Sequence, residues 1–477
     1  MVFQKSLGRD YPSPSRRWMP KSLLQTNAKV MRCAKAVTLI TLFFAAWQLW
    51  SYPTSFRTYR QALTQKYSPT RYNSLTKEDE ELLHSQRWRW DEQDGAATQI
   101  RGSYSRADLW ANRHRWQKLG SGFEGKTFKY GGTVIKSFRA RNAPFRNCVP
   151  GVAGDEPLRW PTEISAQLVL SGLAESDSIP ADATFLPTVD YFLGPDSTRG
   201  WPEWYLVTPL LPSGNLEQLA GQLRRSDRKY TARDVDIIFR PSLEQVLGIL
   251  DTMHTTKELC HDDIKLDNVM STTTSTQGSD IDNPEKKTHW LLGDLGNVRQ
   301  PSHPYHSSIL WWKFNNNLQD CRENDVVRLL KSYIIFLRAS VDNVAAFDEE
   351  FFQGLQPWSR LFWATIDDAA QGRNISAAFV GLQSQLHNRA NNLVVPSTRY
   401  THEPPRSSSL LFSAFVGREG RLAKAVADSV RISASEKKAR NWSMSWLLGI
   451  PVAACGTQGG SWREELPVVD GMEAYLE

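Results

Sequence analysis

An α+β fold is what the sequence predicts, with short antiparallel strands first, apolar helices after them, and an N-terminal transmembrane helix in front. Three observations carry this reading. Residues 127–138 place two short strands on either side of Gly131-Gly132, the composition of a hairpin turn. Residues 233–256 set Val235, Ile237, Ile238, Leu243, Val246, Leu247, Leu250 and Met253 at helical spacing, and Asp325 opens a second strongly apolar helix that runs to Leu337. Residues 36–50 hold no charged side chain and end in Trp47 and Trp50, with Tyr52 just beyond, rings suited to a membrane interface.

The chain has 477 residues, which fits one domain of about 250–300 residues with extensions. With 40% hydrophobic and 23% charged residues the composition is globular. The net charge of +6 is modest and its basic residues lie partly in the N-terminal arm, so no nucleic-acid partner is expected. The five cysteines form no Cys-x-x-Cys pair, which argues against a zinc site and leaves the redox compartment open.

Residues 1–35 read as a basic, flexible arm, 36–52 as a transmembrane signal anchor and 53–111 as a stem or linker. Arg16, Arg17, Lys21, Lys29, Arg32 and Lys35 outnumber Arg57, Arg60 and Lys66, which orients the N-terminus to the cytoplasm. The expectation is a single-pass membrane protein whose main domain is lumenal, in the secretory pathway (ER or Golgi). Residues 391–477 are a C-terminal extension to which the sequence assigns no role.

Gly120-Ser121-Gly122-Phe123-Glu124-Gly125 has the spacing Gly-x-Gly-x-x-Gly. A dinucleotide fingerprint would open a helix, whereas these glycines lead into a hairpin, where backbone can fold tightly over phosphates. Lys136 follows on the second strand, and Glu163 falls in the first turn of a helix begun by Pro161. Further on, Cys260-His261-Asp262-Asp263-Ile264-Lys265-Leu266-Asp267-Asn268 gathers carboxylate, cation and amide, and Asp294 precedes Gly296 after an apolar strand. Transfer of the γ-phosphoryl of ATP needs such groups: a carboxylate on the attacking hydroxyl, a cation on the moving phosphoryl, and oxygen ligands for Mg²⁺.

In this order the glycine loop, Lys136, Glu163, His261-x-Asp263, Asn268 and Asp294-x-Gly296 resemble the protein kinase superfamily over roughly residues 112–390. The resemblance implies a two-lobed protein kinase-like fold, a small antiparallel-sheet lobe and a larger helical lobe, using ATP and Mg²⁺. It assigns Asp263 to the acceptor hydroxyl, Lys265 to the γ-phosphoryl, Lys136 (held by Glu163) to the α- and β-phosphates, and Asn268 and Asp294 to metal. Gly120, Ser121, Gly122, Phe123 and Gly125 would cover the nucleotide, Thr208 would stand at the gatekeeper place and Leu211 would donate to adenine. Asp325 would tether the catalytic-loop backbone. The chain departs from the pattern at Asp262 (for Arg) and Leu295 (for Phe), has no Ala-Pro-Glu, and leaves Arg373 without its usual Glu. A switch operated by a phosphate on the segment after Asp294 is therefore not expected. The acceptor is a hydroxyl on a protein or a glycan, Ser/Thr-type ahead of Tyr. The rival reading is a pseudokinase serving as a membrane-tethered scaffold.

Overall fold

The structure, a computed structural model, describes residues 105–122, 125–138, 145–149, 158–173, 183–194, 203–273, 288–314, 321–370 and 373–389, with short stretches between 30 and 70 and at 318 and 320. The chain divides into two units, Met1–Thr58 and Tyr59–Glu477.

In the first unit, residues 33–43 are helical and exposed. Among the described residues no helix is long and apolar enough to cross a membrane. This corrects the expected transmembrane anchor over 36–52, and with it the single-pass, lumenal placement and the membrane partner. The physical reason is length. Around this run the described helical residues all lie between 30 and 46, a stretch of at most about 25 Å at 1.5 Å per residue, against about 30 Å of hydrocarbon. It also includes Thr38 and Thr41, whose hydroxyls donate to the carbonyls of Ala34 and Val37.

The second unit is α+β, with a sheet lobe and a helical lobe. Helix α1 (Arg106–Ala111) is capped by Ser105, which accepts from the Asp108 N–H while Asp108 accepts in return. Strands β1 (Gln117–Ser121), β2 (Gly125–Tyr130) and β3 (Thr133–Phe138) follow, then a ribbon of β4 (Phe145–Val149) and β5 (Leu158–Pro161). Helix α2 (Thr162–Ser171) precedes β6 (Asp190–Leu193) and β7 (Trp204–Pro209). The five-stranded sheet runs β1-β2-β3-β7-β6, every neighbouring pair antiparallel. Tyr130 pairs with Thr133 around the predicted two-residue turn, where Gly131 has φ 55°, a conformation that suits glycine. One sheet face buries Ile135, Phe192, Tyr205 and Val207 against Leu109 of α1. Arg106 fixes that helix by a bidentate pair with Asp190, Nε to Oδ2 at 2.6 Å and Nη2 to Oδ1 at 2.7 Å.

The helical lobe comprises α3 (Leu216–Arg225), α4 (Ala232–Thr255), α5 (Ile309–Phe314), α6 (Cys321–Ser340), α7 (Val344–Gln353), α8 (Pro357–Ala370) and α9 (Ala377–Arg389). A two-stranded ribbon, β8 (Val269–Thr273) with β9 (Thr288–Leu292), lies between α4 and α5 in sequence. Trp290 of β9 is fully buried, stacking on Phe239 of α4 at 5.9 Å and meeting Phe336 of α6 edge-on at 5.5 Å. Val235 and Phe239 turn inward, whereas Ile237, expected on the apolar face of α4, is 60% exposed. Two residues advance a helix by about 200°, so Val235 and Ile237 cannot share one face.

Trp290→Ala is expected to cost about 3–5 kcal/mol of stability in urea unfolding of the full chain, and Ile237→Ala less than about 0.5 kcal/mol. Similar losses at the two positions would contradict this placement of the core.

Candidate active site

Lys136 stands at the middle of β3, opposite Thr127 on one side and Leu206 on the other, so the sheet fixes its backbone on both edges. Its Nζ is 2.5 Å from Glu163 Oε2 and 2.9 Å from Asp294 Oδ1. Glu163 is buried in the first turn of α2, where a carboxylate also suits the positive end of the helix. Burial alone would raise the Asp294 carboxyl, but the ammonium groups of Lys136 and Lys265 hold it down at about 2. The group is therefore ionised across the whole physiological range. Asp294 itself is left-handed (φ 53°, ψ 61°), a region that Asp tolerates better than most residues.

One buried carboxylate is central to the hold on the loop from Cys260 to Asn268. Asp325, at the start of α6, accepts the N–H of His261 at 2.6 Å, the N–H of Asp262 at 2.9 Å and His254 Nε2 at 3.1 Å. His261 Nε2 donates to the Gly293 carbonyl (3.1 Å), since a carbonyl only accepts, and its Nδ1 receives the Asp263 N–H (3.3 Å). That ring thus connects Asp263 to the residue before Asp294. Asn268 Nδ2 donates to the Asp263 carbonyl at 2.8 Å and to its carboxylate at 3.3 Å, which leaves Oδ1 as the atom that could hold a metal. Lys265 Nζ lies 3.4 Å from Asp263 Oδ2 and 3.5 Å from Asp267 Oδ2. Burial works against its charge, but Asp263, Asp267 and Asp294 raise the ammonium above its ordinary range. The predicted residues thus assemble into two sets, Lys136–Glu163–Asp294 and Asp263–Lys265–Asn268, joined electrostatically through Lys265 and Asp294.

The glycine loop divides by role. A Cβ on Gly125 would lie 1.8 Å from the Ser137 carbonyl oxygen, so pairing of β2 with β3 excludes any side chain there. At Gly120 and Gly122 a Cβ would meet nothing within 4 Å. Among the described residues those two glycines answer no packing demand, which suits backbone left open to close approach by a ligand. Ser121 is the last residue of β1, and Phe123 lies outside the described residues. Thr208 is buried on β7 opposite Val134. The Leu210 N–H donates to the Gly132 carbonyl (2.8 Å) and Pro209 has none, so of these three residues Leu211 is the one whose N–H could serve a ligand.

Three features escaped the sequence reading. Cys260 and Cys321 form a disulfide that joins the residue before His261 to the start of α6. Their only signal was position, one beside the His and the other four residues before Asp325. Asp262, the residue that departs from the family pattern, is buried with Arg299 and His306 (Nη1 to Oδ2 3.0 Å, Nε2 to Oδ2 2.9 Å). Finally, part of the expected stem packs here. Helical residues 61–66 bury Ala62 and Leu63 beside Cys260, Tyr305 and Trp311. Beyond them, Thr70 Oγ1 donates to the Val298 carbonyl at 3.1 Å and Ser68 Oγ lies 3.1 Å from His303 Nε2.

No family model matches the chain, and no curated protein matches it. Among solved structures, the PknI kinase domain of Mycobacterium tuberculosis is similar at 17% identity and a TM-score of 0.33, covering 57% of this chain and 94% of that one. A likeness of that strength carries no argument about activity. The geometry makes its own prediction. Asp325→Ala leaves the N–H groups of His261 and Asp262 without an acceptor, at about 1–3 kcal/mol each. Urea unfolding of the variant should show a loss of about 2–6 kcal/mol, and a loss below about 1 kcal/mol would mean that the loop is held by other contacts.

Proposed function

We propose that this chain is an ATP-dependent phosphotransferase that moves the γ-phosphoryl group to a hydroxyl of a protein or a glycan. One observation supports this above the others: a single ammonium, Lys136, lies between the carboxylates of Glu163 and Asp294, beside a loop in which Asn268 and Lys265 both meet Asp263. Ion pairs stabilise many folds, but two acids converging on one lysine, on the strand paired with the one that Gly125 opens, suit phosphate chemistry better than a plain core contact.

In this reading Lys136, steadied by Glu163, orients the α- and β-phosphates beneath the backbone of residues 120–125. Leu211 and the Thr208 side of β7 take the adenine. Asn268 and Asp294 would hold Mg²⁺, which when bound offsets charge on the β- and γ-phosphates. Asp263 accepts a hydrogen bond from the acceptor hydroxyl and takes its proton as the oxygen attacks the γ-phosphorus. The bond from that phosphorus to the bridging oxygen breaks, ADP leaves with the electron pair, and Lys265 lowers the cost of charge on the transferred group.

The test is Mg·ATP consumption by the full chain against protein hydroxyl and glycan acceptors. Asp263→Asn is expected to cut kcat by about 10²–10⁴-fold while ATP still binds. Lys136→Met removes a charge-assisted contact of about 1.5–3 kcal/mol and should weaken ATP binding about ten- to a hundredfold. ATP binding without turnover on either acceptor class would select a binding module instead. Absence of ATP binding would end both readings.

A further inference from the structure

Where the kinase resemblance expects an arginine, this chain carries a carboxylate, and the structure sets two buried cations on one of its oxygens, Oδ2, while Oδ1 is buried without a hydrogen bond. The side chain of Asp262 is 1% exposed, between Arg299 (1%) and His306 (6%). Its backbone is held as firmly. The N–H goes to Asp325 (2.9 Å), the carbonyl accepts from Arg328 of α6, and φ is 64°, a left-handed conformation. The next residue is Asp263. Arg299 is tied to the same loop a second time, since its backbone exchanges two hydrogen bonds with Cys260 at 2.7 and 3.0 Å.

The chemistry of His306 follows from its neighbours. Its Nε2 meets the Asp262 carboxylate and its Nδ1 meets the Pro301 carbonyl at 3.0 Å. Both partners only accept, so both ring nitrogens donate and the ring is an imidazolium. Burial opposes that charge, but the Asp262 carboxylate raises His306 above its ordinary value. Burial likewise works against the Asp262 carboxylate, yet His306, Arg299 and Arg328 hold it below the usual carboxylate range. The other groups around His306 are the Arg299 guanidinium, whose charge opposes an imidazolium, and the rings of His303 (6.1 Å), Tyr305 (6.2 Å) and Trp311 (4.5 Å), with Lys66 Nζ 5.6 Å beyond over the Tyr305 ring. Asp262 is thus the acid that His306 faces.

We infer that Asp262 is a positioning residue, a built-in anion that fastens the segment 298–311 to the loop bearing Asp263 through Arg299 and His306. Its polarity is the reverse of a cation waiting for an added phosphate. The charge that would otherwise arrive by modification is already in the chain and is buried, so the segment needs no external signal to dock. The kinetic part of this inference rests on the phosphotransferase reading; the structural part does not. The sign of the pH dependence is fixed. A raised His306 value contributes fully below the ordinary histidine value of about 6.5 and is lost as pH rises through the raised one, so the latch loosens on the alkaline side.

The first measurement is the NMR titration of the His306 ring in the full wild-type chain, set beside Asp262→Asn. His306 should titrate above about 6.5 in the wild type and fall back toward that value in the variant. In steady-state assays, Asp262→Asn should lower kcat about 10- to 100-fold with KM for ATP within about twofold, as expected when positioning rather than binding is lost. The alkaline limb of the wild-type profile should vanish in His306→Gln, and Ser302→Glu or Ser307→Glu should leave kcat within about twofold. A wild-type His306 that titrates at or below its ordinary value would overturn the inference, even where Asp262→Asn fails to fold. Unchanged kcat in a folded Asp262→Asn would overturn it as well. A raised His306 value in a wild type that turns over no acceptor would support the latch while removing the phosphotransferase reading.

Discussion

One ammonium group organises the molecule. Lys136 lies on the central strand of the sheet lobe, Glu163 on the helix beside it, and Asp294 at the mouth of the helical lobe, and the three meet within hydrogen-bonding distance. A half-buried lysine between two carboxylates is costly to desolvate, and hydrophobic side chains of similar volume often give equal or greater stability. Its value is therefore in placement. Removing the ammonium leaves two acids facing each other, and removing either acid leaves a partly buried charge underpaired. The sheet and the helical lobe are held in one relation wherever this group keeps both partners. The glycine turn and the Asp263 loop inherit their relation from it.

The second constraint is the backbone around Asp263. Asp262 and Asp294 both have positive φ (64° and 53°) although neither is glycine, at a cost of about 1–3 kcal/mol each. Such conformations persist when the surroundings determine them several times over, and here they do. Asp325 receives two successive N–H groups, Arg328 and Arg299 hold Asp262 from two elements, and the Cys260–Cys321 disulfide closes the loop on α6. Strain, an uncommon residue and redundant support coincide within a few residues of the proposed catalytic base. A loop whose only task was to connect α4 to β8 would need none of them.

The fold and the local motifs were legible because each is written in contiguous residues. The Gly131-Gly132 turn needs only its flanking strands, and Glu163 needs only the helix start behind Pro161. Buried position was less legible. Ile237 is apolar but its angle on α4 turns it outward, and the run over 36–50 lacks charge yet is shorter than the roughly 20 residues a span needs. The contacts that bind the loop from outside left no periodic trace. Asp262 meets Arg299 across 37 residues and His306 across 44, the disulfide spans 61, and Ser68 reaches His303 across 235. Nothing in a hydropathy pattern distinguishes those partners from other polar side chains on the surface.

Asp262, which stands where the resemblance to kinases expects arginine, shows why such a departure needs its surroundings before it is counted as loss. Judged alone, the carboxylate removes the cation that would read a phosphate and points toward a weakened protein. Judged with Arg299 and His306, it keeps the same arithmetic of opposite charges with the signs exchanged, and the loop still ends in an oriented Asp263. A degenerating site would be expected to leave the new acid unpaired or to let it reach solvent, because a buried carboxylate without partners is among the costliest groups a protein can hold. Instead the acid is sealed, matched by two cations and flanked by an arginine on its own carbonyl. In the phosphotransferase reading proposed above, docking without an external switch and the orientation of Asp263 both depend on this one residue.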